Sequence, residues 1–383
     1  MKYYRRSIVF TRRPLTEAFR YKDIFILQPI AREGIPSCPY AKHYPSFLDY
    51  WIIEDEGKSD IDLIPKDINR VREICTILTS LSNFEVFTYD SSMHAWGIVA
   101  PIKSFEEMTK DEVETANESA TESVWIPFTG FMYKEYSQDR IISNLSILEN
   151  NTEMVLDRDP LYFTNHPIEV DKEKVLFQSG IITALDTYYD LPEDTQKRVF
   201  SAMKLIANGI KMGIQHQSLG FISYVSSIET MVDLENKDLK IHHCEKCGQP
   251  IFSVKRKFLS FLEKYVSRTE SSKKKFSDLY NLRSRIAHSG KLFLSDVEFS
   301  LLNQDETNKE WFKYLEVQQL ARLSMFRWLL FNGNSDRAVS YRDICGNTAV
   351  SAAENAVAKK GRTRMAAWDF LGVCGGTRTS DAC

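Results

Sequence analysis

The stretch YNLRSRIAHSG, residues 280–290, places Arg283 and His288 shortly before Gly290. An imidazole gains and loses a proton near neutral pH, and an arginine fork binds the paired oxygens of an anion. Together these side chains could form an acid/base site. Each also has an ordinary explanation, because a protonated histidine is stabilised at the C-terminal end of a helix and glycine commonly ends one. The pair is harder to explain in that way than either residue alone.

Of the two arginines in this stretch, Arg283 is the unusual one. If residues 276–288 form a helix, four apolar side chains share one of its faces: Phe276, Leu279, Tyr280 and Ala287. Arg283 falls on that face, whereas Arg285 points the opposite way. An arginine on an apolar stripe is costly unless its guanidinium reaches a partner, a ligand or water in a cleft. Helical phase therefore separates Arg283 from an ordinary surface cation.

Positive charge is concentrated around this motif, although the 383-residue chain has a formal net charge of −3. Residues 251–291 contain eleven lysines or arginines and three acidic residues. The overall balance excludes a polycation of the histone kind, and this segment is where the chain would meet nucleic acid. Lys274 and Lys275 could follow a phosphate backbone without sequence preference. A solvated helical face with a Lys-rich loop explains the same charges.

Cys244 and Cys247 form the recognisable pair among seven scattered cysteines. The stretch HHCEKCGQP, residues 242–250, has the Cys-x2-Cys-Gly form of half a zinc knuckle. A structural zinc site needs four ligands, which His243 or a dimer partner could complete. The alternative is a metal-free turn. A catalytic zinc is not indicated, since no nearby glutamate and histidine supply an open site.

Residues 1–170 are predicted to form a mixed α/β N-terminal domain. Five β-rich runs are separated by turn-forming or charged stretches: 23–30, 50–55, 84–90, 95–102 and 123–133. One helix is predicted over 66–82, starting behind Pro65. Residues 103–123 have the composition of an exposed loop or a frayed helix.

Residues 171–333 are predicted to be all-α. Five amphipathic helices with short connections imply an antiparallel bundle: 194–213, 218–234, 252–267, 273–288 and 310–331. In the second helix, Leu219, Ile222 and Val225 begin the predicted apolar stripe. The composition shifts again over the tail, 334–383, where only 349–358 has a helical pattern. The predicted fold class is therefore α+β, with a helical C-terminal part.

The chain carries no recognisable export or membrane signal. Its first residues, MKYYRRSIVF, lack the apolar core and cleavage site of a secretory leader. No run approaches the roughly 18 uninterrupted apolar residues of a membrane span. We expect a cytoplasmic protein without a membrane partner.

The stretch LYNLRSRIAHSGKL, residues 279–292, resembles the Arg-x4-His signature of HEPN domains, particularly the ApeA-like branch. Two further segments strengthen the resemblance. FISYVSSIETM, residues 221–231, is similar to the Ser/Ala-x-Glu helix of the family. CEKCGQPIF, residues 244–252, lies between that helix and the Arg-x4-His stretch, as the resemblance implies. The resemblance covers about 175–333, under half of the chain.

The resemblance implies a helical bundle that dimerises and brings two Arg-x4-His helices together over one cleft. Members of the family are commonly metal-independent ribonucleases, so no cofactor is expected for catalysis. RNA carries its own nucleophile, the ribose 2′-hydroxyl. On this basis His288 is the expected general base or acid, and Arg283 the phosphate clamp. Asn281 could bind substrate, and Glu229 could orient Arg283 or be an ordinary surface glutamate.

Three functions stay open at this point. The first is a HEPN endoribonuclease of antiphage abortive-infection defence, in which the N-terminal domain senses a phage or host trigger or restrains the helical part. The second is a non-catalytic HEPN module that binds RNA or nucleotide or mediates dimerisation. The third is a scaffold in which Arg283 only pairs with Glu229 inside the bundle.

Overall fold

The structure is a computed structural model, and it describes most of the two predicted parts. The described residues are 2–30, 44–53, 60–88, 109, 125–126, 130–131, 141–159, 162–163, 174–213, 215–237, 254–297 and 304–332. The predictions for 95–102, almost all of 103–123, the pair Cys244 and Cys247, and the tail 334–383 lie outside them.

The N-terminal part is built on a curled antiparallel sheet. Its strands are β1 (Lys2–Thr11), β2 (Phe19–Tyr21), β3 (Phe25–Pro29), β4 (Tyr44–Ile53), β5 (Val86–Phe87) and β8 (Ile141–Ile142). Their order is β2-β3-β4-β1-β5, with β8 also pairing with β1. A separate two-stranded sheet joins β6 (Trp125–Ile126) to β7 (Gly130–Phe131). The predicted α+β class is confirmed.

Strand β1 has a central position that the sequence did not predict. It pairs with β4 along its whole length, from Lys2 opposite Ile53 to Thr11 opposite Tyr44. The adjacent arginines near its start interrupt the alternation by which a strand is recognised. One of them, Arg6, reaches the buried Asp49 through two hydrogen bonds of 2.6 and 2.7 Å. A cross-strand ion pair thus stabilises a strand that its own residues do not indicate.

One helix, α1 (Asp60–Ser80), packs on the sheet part. It begins six residues before the predicted start, and Pro65 lies inside it rather than in front of it. A proline beyond the first turn removes one backbone hydrogen bond and crowds the carbonyl four residues earlier, yet α1 continues past Pro65. The predicted buried stripe is confirmed at Val71, Ile74 and Leu78.

The C-terminal part is helical, as predicted. Its helices are α2 (Ile181–Asp190), α3 (Glu193–Gly213), α4 (Gln217–Glu235), α5 (Val254–Tyr265), α6 (Glu270–Ser289), α7 (Leu294–Val297) and α8 (Gln304–Asn332). Helix α2 and the short α7 were not predicted. The stripe predicted for α4 is wrong at Leu219, which is 50% exposed. Helix α4 is instead buried on nearly every side by α3, α6 and α8, so a one-sided pattern does not describe it.

Glycine brings α3 and α4 into close contact. A Cβ atom on Gly209 would lie 2.6 Å from the ring of Tyr224, and one on Gly220 would lie 2.7 Å from the carbonyl oxygen of Gly209. Neither position has room for a methyl group. The two helices come this close because glycine has no Cβ at either position. The pair forms the centre of the bundle.

The sheet and the helices share one hydrophobic core. Phe177 lies 4.3 Å from the ring of Phe19 and 4.9 Å from that of Phe84, between the two parts. Arg322 on α8 donates to the carbonyl oxygen of Phe84 at 3.2 Å, and Tyr21 donates to Asp186 at 2.8 Å. The predicted boundary near residue 170 stays a prediction, and contacts on both sides of it belong to the same core.

Candidate functional site

Helix α6 carries the Arg-x4-His pair, and both of its ends are defined by local chemistry. Thr269 precedes the helix, and its side chain accepts a hydrogen bond from the backbone N–H of Ser272 at 3.2 Å. Gly290 follows it in the left-handed conformation, with φ of 63°, and its N–H reaches the carbonyl oxygen of Arg285. Glycine adopts this conformation without a Cβ clash. His288 therefore lies in the last turn, at an exposed helix end.

The buried face of α6 is rotated slightly from the predicted one. Its buried residues are Ser272, Phe276, Leu279, Leu282 and Ile286. Ala287 is exposed, so its predicted place on this face is wrong, because the stripe follows residues three and four apart and passes through Ile286. Arg283 lies at the edge of the face with a side chain that is 23% exposed, and Arg285 is exposed as expected.

The guanidinium of Arg283 lies between Glu229 and His288. Its Nη2 donates to Oε2 of Glu229 on α4 at 2.9 Å, and its Nη1 is 3.4 Å from Nε2 of His288. A guanidinium only donates, so this contact is a hydrogen bond when Nε2 carries no proton and can accept. Among the described residues the buried Nε of Arg283 has no hydrogen-bond partner. Glu229 holds Nη2 of the arginine, and Nη1 faces the histidine.

Burial and charge act on the groups around this arginine. Burial raises the pKa of Glu229 and outweighs the lowering effect of Arg283, while Asp233 on the same helix raises it further. The partly buried Tyr280 packs on Phe258 at 5.1 Å between ring centroids. Burial, and then the nearby carboxylate of Glu229, raise the pKa of the Tyr280 phenol. Tyr280 is thus part of the packing beside the site.

The other predicted supporting residues are less closely grouped. Asn281 accepts a hydrogen bond from Lys255 of α5 at 2.8 Å, which gives this amide a protein partner. Lys275 is 3.9 Å from Glu316 on α8, and Lys274 is exposed. Sequence reasoning missed Lys255 as a neighbour, because nothing in the pattern of α5 shows which lysine faces α6.

Comparison of the chain with family models, curated proteins and solved structures finds no match. The functional argument therefore depends on the geometry of Glu229, Arg283 and His288 and on the surface around them.

The described residues were compared with the requirements of a metal site and of a membrane-spanning helix. Within them, no group of three or more His, Cys, Asp or Glu side chains could hold a metal ion, and Cys244 and Cys247 lie outside. None of the helices in the described ranges is long and apolar enough to cross a bilayer.

Proposed function

We propose that the helical part of this chain is a metal-independent endoribonuclease of the HEPN type. The observation that carries the proposal is the position of the Arg283 guanidinium, which is bound to Glu229 on one side and faces His288 on the other. This arrangement presents a cation and a proton-transfer group side by side at the surface. Those are the two functions that cleavage of RNA by its own 2′-hydroxyl requires.

The geometry suggests a division of roles within the site. Glu229 fixes Nη2 of Arg283, so Nη1 keeps a defined direction toward His288. A phosphate oxygen that accepts from Nη1 would lie within reach of the imidazole. His288 would then accept the proton of the 2′-hydroxyl or protonate the leaving 5′-oxygen, and Arg283 would stabilise the charge that grows on the phosphorus oxygens.

A homodimer would bring a second copy of the pair to the same cleft. Its support is a set of exposed apolar side chains in α4, α7, α8 and the segment after α6: Leu219 at 50%, Leu292 at 42%, Val297 at 67% and Phe312 at 67% exposed. Leu219 and Leu292 are next to Ser218 and Phe293, which are joined by a hydrogen bond of 2.7 Å from the N–H of Phe293 to the hydroxyl of Ser218. Exposed apolar side chains of this size are suited to contact with another protein. Two protomers could divide the acid and base roles.

The cationic surface of α5 and α6 suits a polyanionic substrate. Lysines on exposed or half-exposed positions flank the motif, including Lys255 at the start of α5 and Lys274 at the start of α6. Contacts of this kind give affinity that falls as salt rises and has little sequence preference. We assign them to backbone contact with RNA.

The biological setting of the proposal comes from the HEPN resemblance. On that basis the activity belongs to antiphage abortive-infection defence in the cytoplasm, and the N-terminal part senses a phage or host trigger or restrains cleavage. The continuous core between the sheet and the helices supports this coupling, because a change in one part alters packing in the other.

The test is incubation of the purified full chain with structured RNA in EDTA, followed by analysis of the product ends. We expect products ending in 2′,3′-cyclic phosphate, which Arg283→Ala and His288→Ala abolish. Arg285→Ala is the matched control, since Arg285 is on the same helix with the same charge but points to solvent.

Each other outcome contradicts the proposal in a different way. RNA binding without cleavage indicates a non-catalytic HEPN module. Neither binding nor cleavage indicates a scaffold in which the ion pair of Arg283 and Glu229 only joins α6 to α4. Cleavage that EDTA abolishes contradicts the metal-independent mechanism.

A further inference from the structure

A cleft of about 820 Å³ lies far from the Arg-x4-His pair along the chain, between α1, α3 and the sheet. Six cationic side chains line it: Lys66, Arg70 and Arg72 from α1, and Lys197, Lys204 and Lys211 from α3. Two acidic side chains, Glu73 and Glu85, are part of the same lining. The balance favours an anionic ligand.

The lysines of α3 form a row because of their spacing. Lys197, Lys204 and Lys211 are each seven residues apart, which is close to two turns of a helix. They share one face of α3, while the core residues Val199 and Met203 lie on another. Lys197 forms an ion pair with Glu193 at the start of this helix, and after Asp194 the helix has no acidic residue beside Lys204 and Lys211.

Both acidic residues of the cleft already face arginines. Glu73 accepts from Arg70 at 2.8 Å on α1. Glu85 accepts from Arg12 at 3.1 Å. Arginine partners of this kind lower the charge that these carboxylates present to the cleft. The lining therefore keeps an excess of positive charge, with six cations against these two acids.

Aromatic side chains are interleaved with the cations. Trp51 and Phe87 come from the sheet and Phe200 from α3, and all three residues line the cleft and are partly buried. The guanidinium of Arg70 lies 5.6 Å from the centre of the Trp51 ring. Ring faces bordered by cations can stack a planar base while the cations bind phosphate.

We propose that this cleft binds a nucleoside polyphosphate. The volume is within the roughly 300–1,000 Å³ of small-molecule sites, which favours a single nucleotide over a strand. Lysines of the α3 row bind the phosphates, and the aromatic side chains hold the base. This site is separate from the RNA site on α6, and its binding does not require RNA cleavage.

The test is calorimetric titration of the full chain with ATP, GTP, CTP and UTP in turn, and with inorganic triphosphate. We expect saturable binding of at least one nucleotide, tighter than that of triphosphate. Lys204→Glu should weaken it about tenfold or more, the loss of one charged hydrogen bond. Arg198→Glu is the matched control, exposed on the same helix but outside the lining, and should change affinity less than about twofold.

Four results would overturn the proposal. The first is no saturable binding of any of the four nucleotides at about 1 mM, the weakest affinity expected of a specific site. The second is equal losses in Lys204→Glu and Arg198→Glu, which indicates surface charge alone. The third is triphosphate binding as tightly as every nucleotide, which would show that the base does not contribute to the affinity. The fourth is a short single-stranded RNA that binds more tightly than any nucleotide and loses affinity in Lys204→Glu, which indicates a strand site.

Discussion

Arg283 lies at the edge of the buried face of α6, where a cation needs both a partner and access to solvent. Glu229 supplies the partner at 2.9 Å, and the exposed end of the helix supplies the access. Its contact with His288 joins a guanidinium, a group able to bind an anion, to an imidazole, a group able to transfer a proton. The arginine is the residue through which α4 can influence the chemistry at the end of α6.

The first prediction concerns Glu229 as a positioning residue. Glu229→Gln keeps an oxygen acceptor but removes the charge, and charge-assisted hydrogen bonds are about twice as strong as neutral ones. We expect the single-turnover rate of RNA cleavage to fall about tenfold, with a smaller change in substrate affinity. The measurement is the cleavage rate at saturating RNA.

A matched control separates positioning from general charge. Asp233→Asn removes an exposed carboxylate one turn along the same helix and should leave the rate within about twofold. Glu229→Asp should restore part of the lost rate. Equal losses in Glu229→Gln and Asp233→Asn would show that Glu229 acts only through overall charge.

Helical phase alone distinguishes Arg283 from Arg285, because period and burial are properties of one segment. It predicts Ala287 on the buried face, whereas the preceding residue, Ile286, is the buried one, since the i+3 and i+4 steps drift around the helix. Helical phase could not identify the partner on α4, and Glu229 was expected there only from the HEPN resemblance. Residues 229 and 283 are distant along the chain, and only the packing of α4 on α6 brings them together.

At the scale of elements, the close approach of α3 and α4 yields a second prediction. Gly220→Ala places a methyl group 2.7 Å from the backbone oxygen of Gly209, which cannot rotate away as a flexible side chain would. We expect the free energy of unfolding to fall by about 1–3 kcal/mol, the usual cost of overpacking. Urea unfolding measures it. Ser201→Ala, exposed on α3, should stay within about 0.5 kcal/mol, and an equal loss there would contradict this explanation.

Glu235 joins three helices and provides a pH-dependent test. It accepts hydrogen bonds from Lys264, from Tyr265 at 3.0 and 3.1 Å and from Trp328 at 2.9 Å. Although burial raises the pKa of Glu235, these hydrogen bonds outweigh it, and the pKa is lowered from the ordinary 4.5. A lowered carboxyl pKa stabilises the fold above the unfolded value, and that stability is lost as pH falls through the lowered pKa.

The third prediction follows from that sign. Glu235→Gln should reduce the free energy of unfolding at neutral pH by about 1–2 kcal/mol, because hydrogen bonds to a charge become neutral ones. The difference from the parent chain should shrink as pH falls below the ordinary glutamate pKa. Urea unfolding across this pH range measures it. Glu193→Gln removes an exposed ion pair with Lys197 and should not change stability measurably. A difference between Glu235→Gln and the parent chain that stays constant at every pH would contradict the stabilising role of the Glu235 charge.

The long helices of the C-terminal part were predictable from their sequence, including α4, whose apolar residues do not form a single stripe, whereas the short helix α2 was missed. Helix α3 matches its predicted span within one residue and buries Val199, Met203 and Ile206 as expected. Strand β1 was missed because its polar residues find partners on β4. Leu219 was misplaced because α4 is covered from several directions, so its most apolar residues do not mark one buried face.

At the scale of the whole molecule, the shared core yields a fourth prediction. Phe177 is fully buried between rings of the sheet part, Phe19 and Phe84, at the start of the helical part. Phe177→Ala should cost about 3–5 kcal/mol and move the entire unfolding transition as one. Calorimetry with circular dichroism measures it, and we expect equal calorimetric and van't Hoff enthalpies.

Val155→Ala is the control for this experiment, because Val155 is 76% exposed and its loss should leave the transition in place. Two resolved transitions in the parent chain, with only one shifted by Phe177→Ala, would show that the sheet and the helices unfold separately. Composition changes near residue 170 suggested a boundary there, but composition does not show which side chains meet across it.

The most direct test of the proposed ribonuclease is the single-turnover cleavage rate of one RNA in EDTA by four proteins: the parent chain, His288→Ala, Arg283→Ala and Arg285→Ala. General acid/base catalysis is typically worth about 10²–10⁴-fold, so we predict a loss of at least that order in His288→Ala. Arg283→Ala should lose a comparable rate, and Arg285→Ala should cleave like the parent. Cleavage by His288→Ala at the rate of the parent chain would contradict the assignment of the site.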